Sequence, residues 1–264
     1  MTYTHGHHPS VLRAHTWRTA ENSAAYLLPH LQPGASLLDV GCGPATITLD
    51  FARLLAPGHV VGVDAAAAIL EQAGASAREA GIANVSFRQA KAEELPFDDA
   101  SFDIVHAHQL LQHVPDPVVV LAEMKRVCVP GGLVAARDGD YASFTWWPED
   151  PVLEEWRALY RSLARRNGGE PDAGRRLKGW AMQAGFEEVR SSASTWCYST
   201  TEEREWWGEL WAERVTSSSI AGQAVESGLA DERGLERLAA AWRKWAHAPD
   251  GWFAVVHGEI LCSA

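Results

Sequence analysis

Leu37-Leu38-Asp39-Val40-Gly41-Cys42-Gly43-Pro44-Ala45-Thr46 reads as a buried strand, a tight glycine turn and the start of a helix. Gly41 and Gly43 lack Cβ atoms, so the backbone between them can take unusual dihedral angles and a ligand can lie against it. A G-x-G alone is a common motif, and its neighbours narrow the reading. The third glycine of a dinucleotide fingerprint would fall at Thr46, where it is missing. Asp39 puts a carboxylate at the turn, which disfavours a pyrophosphate and attracts a cation. The turn therefore points to a cationic nucleoside rather than NAD. Asp64, at the end of the next strand about twenty residues on, is placed to accept hydrogen bonds from two ribose hydroxyls.

Outward from this turn, short apolar runs alternate with helical patterns, the rhythm of βαβ units on a parallel sheet. Strands are expected at Ser36 to Val40, His59 to Val63, Val85 to Arg88, Phe102 to Ala107 and Gly132 to Arg137, with helices at Ala45 to Leu55, Ala66 to Ala80 and Pro117 to Val127. Gly41, Gly58, Gly81 and Pro130-Gly131-Gly132 fall where turns belong. A helical stretch over Thr19 to Leu31 precedes the series. Beyond residue 140 the pattern predicts helices at Pro151 to Arg166, Gly174 to Ala184, Glu202 to Val215 and Glu232 to Ala246, and strands at Glu187 to Tyr198 and Trp252 to Cys262.

The chain has 264 residues, of which 47% are apolar and 22% charged, within the range of globular proteins with a sizeable core. Its formal charge of −11 and the absence of basic clusters longer than pairs such as Arg165-Arg166 argue against nucleic acid as a partner. No apolar run reaches the length of about 20 residues that a membrane helix needs, and Met1 to Pro9 is polar and His-rich, unlike a signal peptide. A cytoplasmic protein is expected. Cys42, Cys128, Cys197 and Cys262 are too dispersed for a zinc or iron-sulfur motif, and His5-Gly6-His7-His8 lacks acidic or thiol partners at fitting spacing, so no metal is expected. All twelve tryptophans except Trp17 lie after residue 145. Trp146, Trp147, Trp206, Trp207 and Trp211 suggest an aromatic-lined pocket, with core packing accounting for at least half of such residues. One member of each doublet is expected to be exposed, at a pocket, or at a dimer contact.

Further motifs follow the glycine turn in order: Ala92-Glu93-Glu94-Leu95-Pro96-Phe97, Phe102-Asp103-Ile104-Val105 and His113-Val114-Pro115-Asp116-Pro117. In this combination the chain resembles the class I S-adenosylmethionine-dependent methyltransferases, in the broad group of ubiquinone/menaquinone methyltransferases. The outer segments, Arg18-Thr19-Ala20-Glu21, Leu27-Leu28-Pro29, Lys244-Trp245-Ala246, Trp252 and Glu259, are similar to those of gliotoxin-type bis-thiomethyltransferases. The resemblance implies an α/β fold: a Rossmann-like seven-stranded sheet with helices on both faces, a helical N-terminal arm and helical substrate-side insertions. It implies one domain over residues 1–264, with 1–34 as arm or lid, 35–145 as the S-adenosylmethionine-binding core and 146–264 as substrate-side helices and closing strands.

The resemblance places Asp39, Gly41, Cys42 and Gly43 around the methionine moiety, Asp64 and Ala65 at the ribose, and Ala92 and Glu93 beside the adenine. Lys91 stands where many relatives have an aspartate, which leaves adenine recognition to backbone groups or Glu93. Tyr3 and Arg18 become candidates for the methionine carboxylate. His5 and His7 stand where that narrower group has Gln and Tyr.

Methyl transfer from a sulfonium is an in-line displacement that leaves S-adenosylhomocysteine, and the protein chiefly aligns the nucleophile and excludes water. A thiol with a pKa near 8.5 is already a few per cent ionised at pH 7, so it depends on a base less than a hydroxyl does. Candidate catalytic groups at the strand ends are His108, His113 and Asp138, with Gln109 also at the cofactor. A helix after the fourth strand would put Gln109 and His113 on one face. The expected activity is methylation of a small apolar or aromatic natural product, with thiols of a reduced gliotoxin- or dithiolopyrrolone-like dithiol as favoured nucleophiles. O- or C-methylation of an aromatic or quinone-like metabolite and a non-catalytic cofactor-binding regulator are the alternatives, and a homodimer is left open.

Overall fold

Strand β1 (Leu37–Val40) is buried along its whole length in the computed structural model, which describes residues 17–264. Parallel neighbours flank it on both sides, β2 (Val60–Asp64) and β4 (Phe102–His108). Beyond them lie β3 (Val85–Gln89), paired with β2, and β5 (Cys128–Gly139), paired with β4, again in parallel. Strands covered on both faces read as nearly continuous apolar runs, which is why these segments were visible as strands. The order reverses between β1 and β4, and in such sheets ligands bind outside the carboxyl ends of the strands at the reversal.

The chain divides into two compact units. The first, among the described residues, comprises 17–138, 173–193 and 258–264 and holds β1 to β5. Helices α1 (Ala20–Ser23), α2 (Thr46–Leu55) and α3 (Ala67–Glu79) cover one face of its sheet. Leu27, Phe51 and Leu55 pack there with Leu37, Val60 and Ile104, and Ala73 and Ala77 pack with Leu49. The other face carries α4 (Pro117–Val127) and α6 (Leu177–Gln183), through Leu121, Met124 and Leu177 against Leu38, Val105 and Val134. Asp116 caps α4 by accepting from Val118 and Val119 N–H, and Pro117 occupies the first helical position, where its missing N–H costs nothing.

The second unit, Gly139–Asp172 with Ser194–His257 among the described residues, contains β6 (Thr145–Trp147), α5 (Pro151–Arg166), α7 (Thr201–Ser217), α8 (Ser219–Glu226) and α9 (Glu232–Ala246). Strands β7 (Val189–Tyr198) and β8 (Trp252–Ser263) contribute residues to both units and pair with each other. The late tryptophans form this unit's core: the ring of Trp156 lies edge-on to Trp211 and Trp242 at 4.6 and 4.7 Å. Helices α7 and α9 meet at Gly208, where a Cβ would stand 2.7 Å from that of Ala246. The first doublet splits as expected, with Trp146 buried and Trp147 exposed; in the second, Trp207 is buried and Trp206 is partly buried against the same core.

Every strand anticipated from residue 35 to Arg166 is present within a few residues, as is every helix except the one expected after the fourth strand. Three expectations are corrected. The stretch Thr19 to Leu31 is not one helix: it breaks into α1 and a 3₁₀ turn at Leu28–His30 that contains Pro29. Gly174 to Ala184 starts as a 3₁₀ turn, Gly174–Arg176, before α6. After β4 there is only the 3₁₀ turn Leu111–His113, preceded by Gln109 at φ 50° and followed by Pro115 and Pro117, so Gln109 and His113 do not share an α-helical face. Strand β6 and helix α8 had no counterpart in the sequence reading.

Candidate active site

The site is built at the carboxyl ends of β1, β2, β4 and β5, within the first unit. Between β1 and α2 the chain takes left-handed dihedrals three times, at Gly41 (φ 73°), Gly43 (φ 53°) and Ala45 (φ 67°). That conformation costs a residue with a Cβ about 1–2 kcal/mol, which glycine avoids. The two glycines have different reasons to be there. A Cβ on Gly41 would meet Leu110 Cδ1 at 2.9 Å, whereas nothing among the described residues lies within 4 Å of one built on Gly43. Gly41 admits Leu110, and Gly43 opens the backbone to space a ligand can use. Gly41 and Cys42 N–H both donate to the carbonyl of Val63, which ties the turn to β2.

Asp64 completes this cradle. Its Oδ2 accepts from Gly43 N–H at 3.1 Å and its Oδ1 from Ala66 N–H at 2.9 Å, so the carboxylate is fixed against the glycine turn with lone pairs to spare. Ala65 is exposed beside it, and its carbonyl accepts from Gln89 Nε2. Past β3, Ala92 and Glu93 are both partly buried in the turn closed by Lys91 and Glu94. Asp39 is 3% exposed and its carboxylate turns into the protein: Oδ2 accepts from Thr48 Oγ1 at 2.6 Å and Oδ1 pairs with His106 Nδ1 at 2.8 Å. Burial, and then the charges of Asp39 and Asp64, push the Cys42 thiol well above its usual range, so it stays protonated.

At the ends of β4 and β5 lies a second cluster. His108 is buried in register with Arg137. Gln109 donates its N–H to the Arg137 carbonyl at 2.7 Å, and its Oε1 accepts from Arg18 Nη2 at 2.6 Å. Burial first, and the Arg18 charge second, lower His113 to about 3. Asp138 is fully buried; its Oδ1 accepts from Gln112 N–H at 3.0 Å while its Oδ2 has no hydrogen-bond partner among the described residues. Burial pushes this carboxyl up to about 7 against the N–H groups of Gln112 and Leu111 and the charges of Arg137 and Arg18. Arg18, Gln109, His113 and Asp138 are thus brought together, as are Gly43 and Asp64. Tyr3, His5 and His7 lie outside the described residues.

Sequence reasoning missed a layer of buried charge below these clusters. Arg137 Nε lies 3.3 Å from Glu259 Oε1, and Ser192 Oγ donates to Glu259 Oε2 at 2.7 Å. Tyr26 is half-buried, but its hydroxyl is buried and held well above its usual pKa by burial and by Glu259. Charged residues inside otherwise apolar strand patterns, such as Arg137-Asp138 after Val134-Ala135-Ala136, were the available signal.

The methyltransferase domain family matches residues 31–207. An uncharacterized methyltransferase of Schizosaccharomyces pombe is 37% identical over 272 residues, covering 99% of this chain and 96% of the relative. The probable methyltransferase ltbC of Aspergillus luteorubrus is 31% identical, covering 98% of this chain and 96% of the relative. Among solved structures, phosphoethanolamine N-methyltransferase 2 of Haemonchus contortus, in complex with phosphomonomethylethanolamine and S-adenosylhomocysteine, superposes with a TM-score of 0.56. It is 20% identical, with 88% of this chain and 49% of that chain covered. The chain belongs to the class I S-adenosylmethionine-dependent methyltransferases, with their Rossmann-like α/β fold. Its cofactor is S-adenosylmethionine, and the site fits that group: an open glycine backbone at Gly43 beside an anchored, partly exposed acid, Asp64, at the strand-order reversal.

Proposed function

We propose that this methyltransferase methylates sulfur in a small natural product, a reduced dithiol of the gliotoxin or dithiolopyrrolone kind. The bound cofactor supplies a methyl group already activated on a cationic sulfur. In this reading the turn from Gly41 through Cys42 to Gly43, together with Arg18, holds its methionine end, Asp64 and Ala65 hold the ribose, and Ala92 and Glu93 flank the adenine. His108 and Gln109 border the reacting end.

The observation that carries the acceptor class is Asp138, a buried carboxyl with one unpartnered oxygen, pushed up to about 7. A base is most effective when its pKa is near the working pH, and a thiol near 8.5 is within about two units of this carboxyl. A phenol near 10 is about three units away, and an aliphatic hydroxyl is out of range. Asp138 takes the proton that the thiol sheds as the new sulfur–carbon bond forms. His113, lowered to about 3, stays neutral and serves as a hydrogen-bonding wall rather than as a proton store.

The test is incubation with labelled S-adenosylmethionine and a panel of reduced dithiols, phenols and quinols, read by mass spectrometry. Methyl thioethers and S-adenosylhomocysteine are expected. Transfer only to oxygen or ring carbon would overturn the thiol assignment, and cofactor binding without S-adenosylhomocysteine from any acceptor would make the protein a binding regulator.

A further inference from the structure

Asp39 and His106 sit opposite each other across β1 and β4. Their side chains meet at 2.8 Å, Asp39 Oδ1 to His106 Nδ1, with the imidazole wholly buried and the ring of Phe51 edge-on at 5.0 Å. His106 Nε2 is buried with no hydrogen-bond partner among the described residues. A proton on Nδ1 therefore finds a carboxylate, whereas one on Nε2 finds nothing, and this fixes the tautomer with the proton on Nδ1. The second oxygen of Asp39 takes the Thr48 hydroxyl from the first turn of α2. One carboxylate thus joins the strand that enters the glycine turn, the helix that leaves it and the neighbouring strand β4.

This junction bears on cofactor binding because of what lies between its ends. From Val40 to Ala45 the backbone is left-handed three times, once at a non-glycine residue, and its Gly43 N–H is held by Asp64. Such a turn persists only where its surroundings over-determine it. Without the His106 N–H, Asp39 would be a buried carboxylate short of a donor; it would rotate or draw in water, and the link to Thr48 would slacken. We infer that His106 is a positioning residue for S-adenosylmethionine, acting through Asp39 and Thr48 to hold the glycine turn in its cofactor-receiving shape. The inference rests on the cofactor and is independent of which acceptor is methylated.

The experiment is calorimetric titration of the folded protein with S-adenosylhomocysteine, which needs no acceptor, on His106→Leu, His106→Asn and Thr48→Val. A hydrogen bond to a charged group is worth ten- to a hundredfold in an equilibrium, so His106→Leu is expected to bind about tenfold or more weakly. His106→Asn keeps an N–H near the Nδ1 position and is expected to recover most of that loss, with Thr48→Val in between. With a turnover assay, KM for S-adenosylmethionine rises in His106→Leu while kcat at saturating cofactor is largely kept. Nitrogen-15 NMR of the unaltered protein is expected to show the proton on Nδ1, a readout that stands even if a variant does not fold. Wild-type affinity in folded His106→Leu, an Asn variant no better than the Leu variant, or a proton on Nε2 would each overturn the assignment.

Discussion

Asp138 accepts the backbone N–H of Gln112 through one oxygen while its other oxygen is buried with no partner among the described residues. The two halves of one carboxyl thus serve different ends: the first fixes its orientation at the close of β5, and the second is left for a proton or a ligand. Replacing Asp138 with Asn preserves the acceptor for Gln112 and removes the proposed base. Methyl transfer to a thiol is expected to fall by about 10² in kcat, the low end of a general base's usual contribution because a thiol is partly ionised unaided, with cofactor affinity little changed. Wild-type activity should also decline as pH falls through about 7, and that limb should vanish in the variant. Activity of the Asn variant equal to wild type across pH 6 to 8 would remove Asp138 from the chemistry.

The same carboxyl and His113 pull stability in opposite directions. Asp138 is raised when folded, so the folded state holds a proton that the unfolded state has lost between about 4 and 7, and stability falls as pH rises through that window. His113 is lowered when folded, so the unfolded state holds the extra proton, and stability is lost as pH falls from about 6.5 toward 3. Each shift corresponds to roughly 4 kcal/mol at full extent. Between about pH 4 and 6.5 the two slopes oppose each other, so thermal stability is expected to rise with pH across that window in Asp138→Asn and to fall across it in His113→Gln. The Arg18 charge lowers both groups, so Arg18→Gln is expected to move both limbs to higher pH; limbs that stay in place would separate Arg18 from this cluster.

Legibility followed the physical signals. Strands β1, β2, β4 and β5 were visible because burial on both faces demands unbroken apolar runs, and the turn from Gly41 to Gly43 because only glycine takes its dihedrals without strain. Asp64 was recoverable from spacing alone. Gln109, by contrast, carries a left-handed φ that its type does not announce. The pairing of Asp39 with His106 joins residues 67 positions apart through strand register, which no local pattern encodes. Strand β6 is three residues long, too short for any periodicity to show.

Asp64 is tied to the glycine turn, and if it holds the ribose as proposed, its substitution separates orientation from charge. Asp64→Ala removes the acceptor for both Gly43 and Ala66 N–H, and binding of S-adenosylhomocysteine is expected to weaken about a hundredfold. Asp64→Asn retains one oxygen and should lose less. Titration calorimetry checks both, and unchanged affinity in the Ala variant would detach this acid from the cofactor.

Arg137 and Glu259 form a buried ion pair at 3.3 Å, with side chains 1% and 6% exposed. Taking two charges out of water is expensive, and their attraction repays it only while both are present. Removing either partner takes away the opposite charge that the other is buried against, so Arg137→Met and Glu259→Leu are each expected to cost about 3–5 kcal/mol. The double variant, with an apolar pair of similar volume, should recover much of that loss. Urea denaturation of the four proteins closes the cycle. Single losses that simply add in the double variant would show that the two side chains do not couple, and that Arg137 owes its place to the carboxyl ends of β4 and β5 rather than to Glu259.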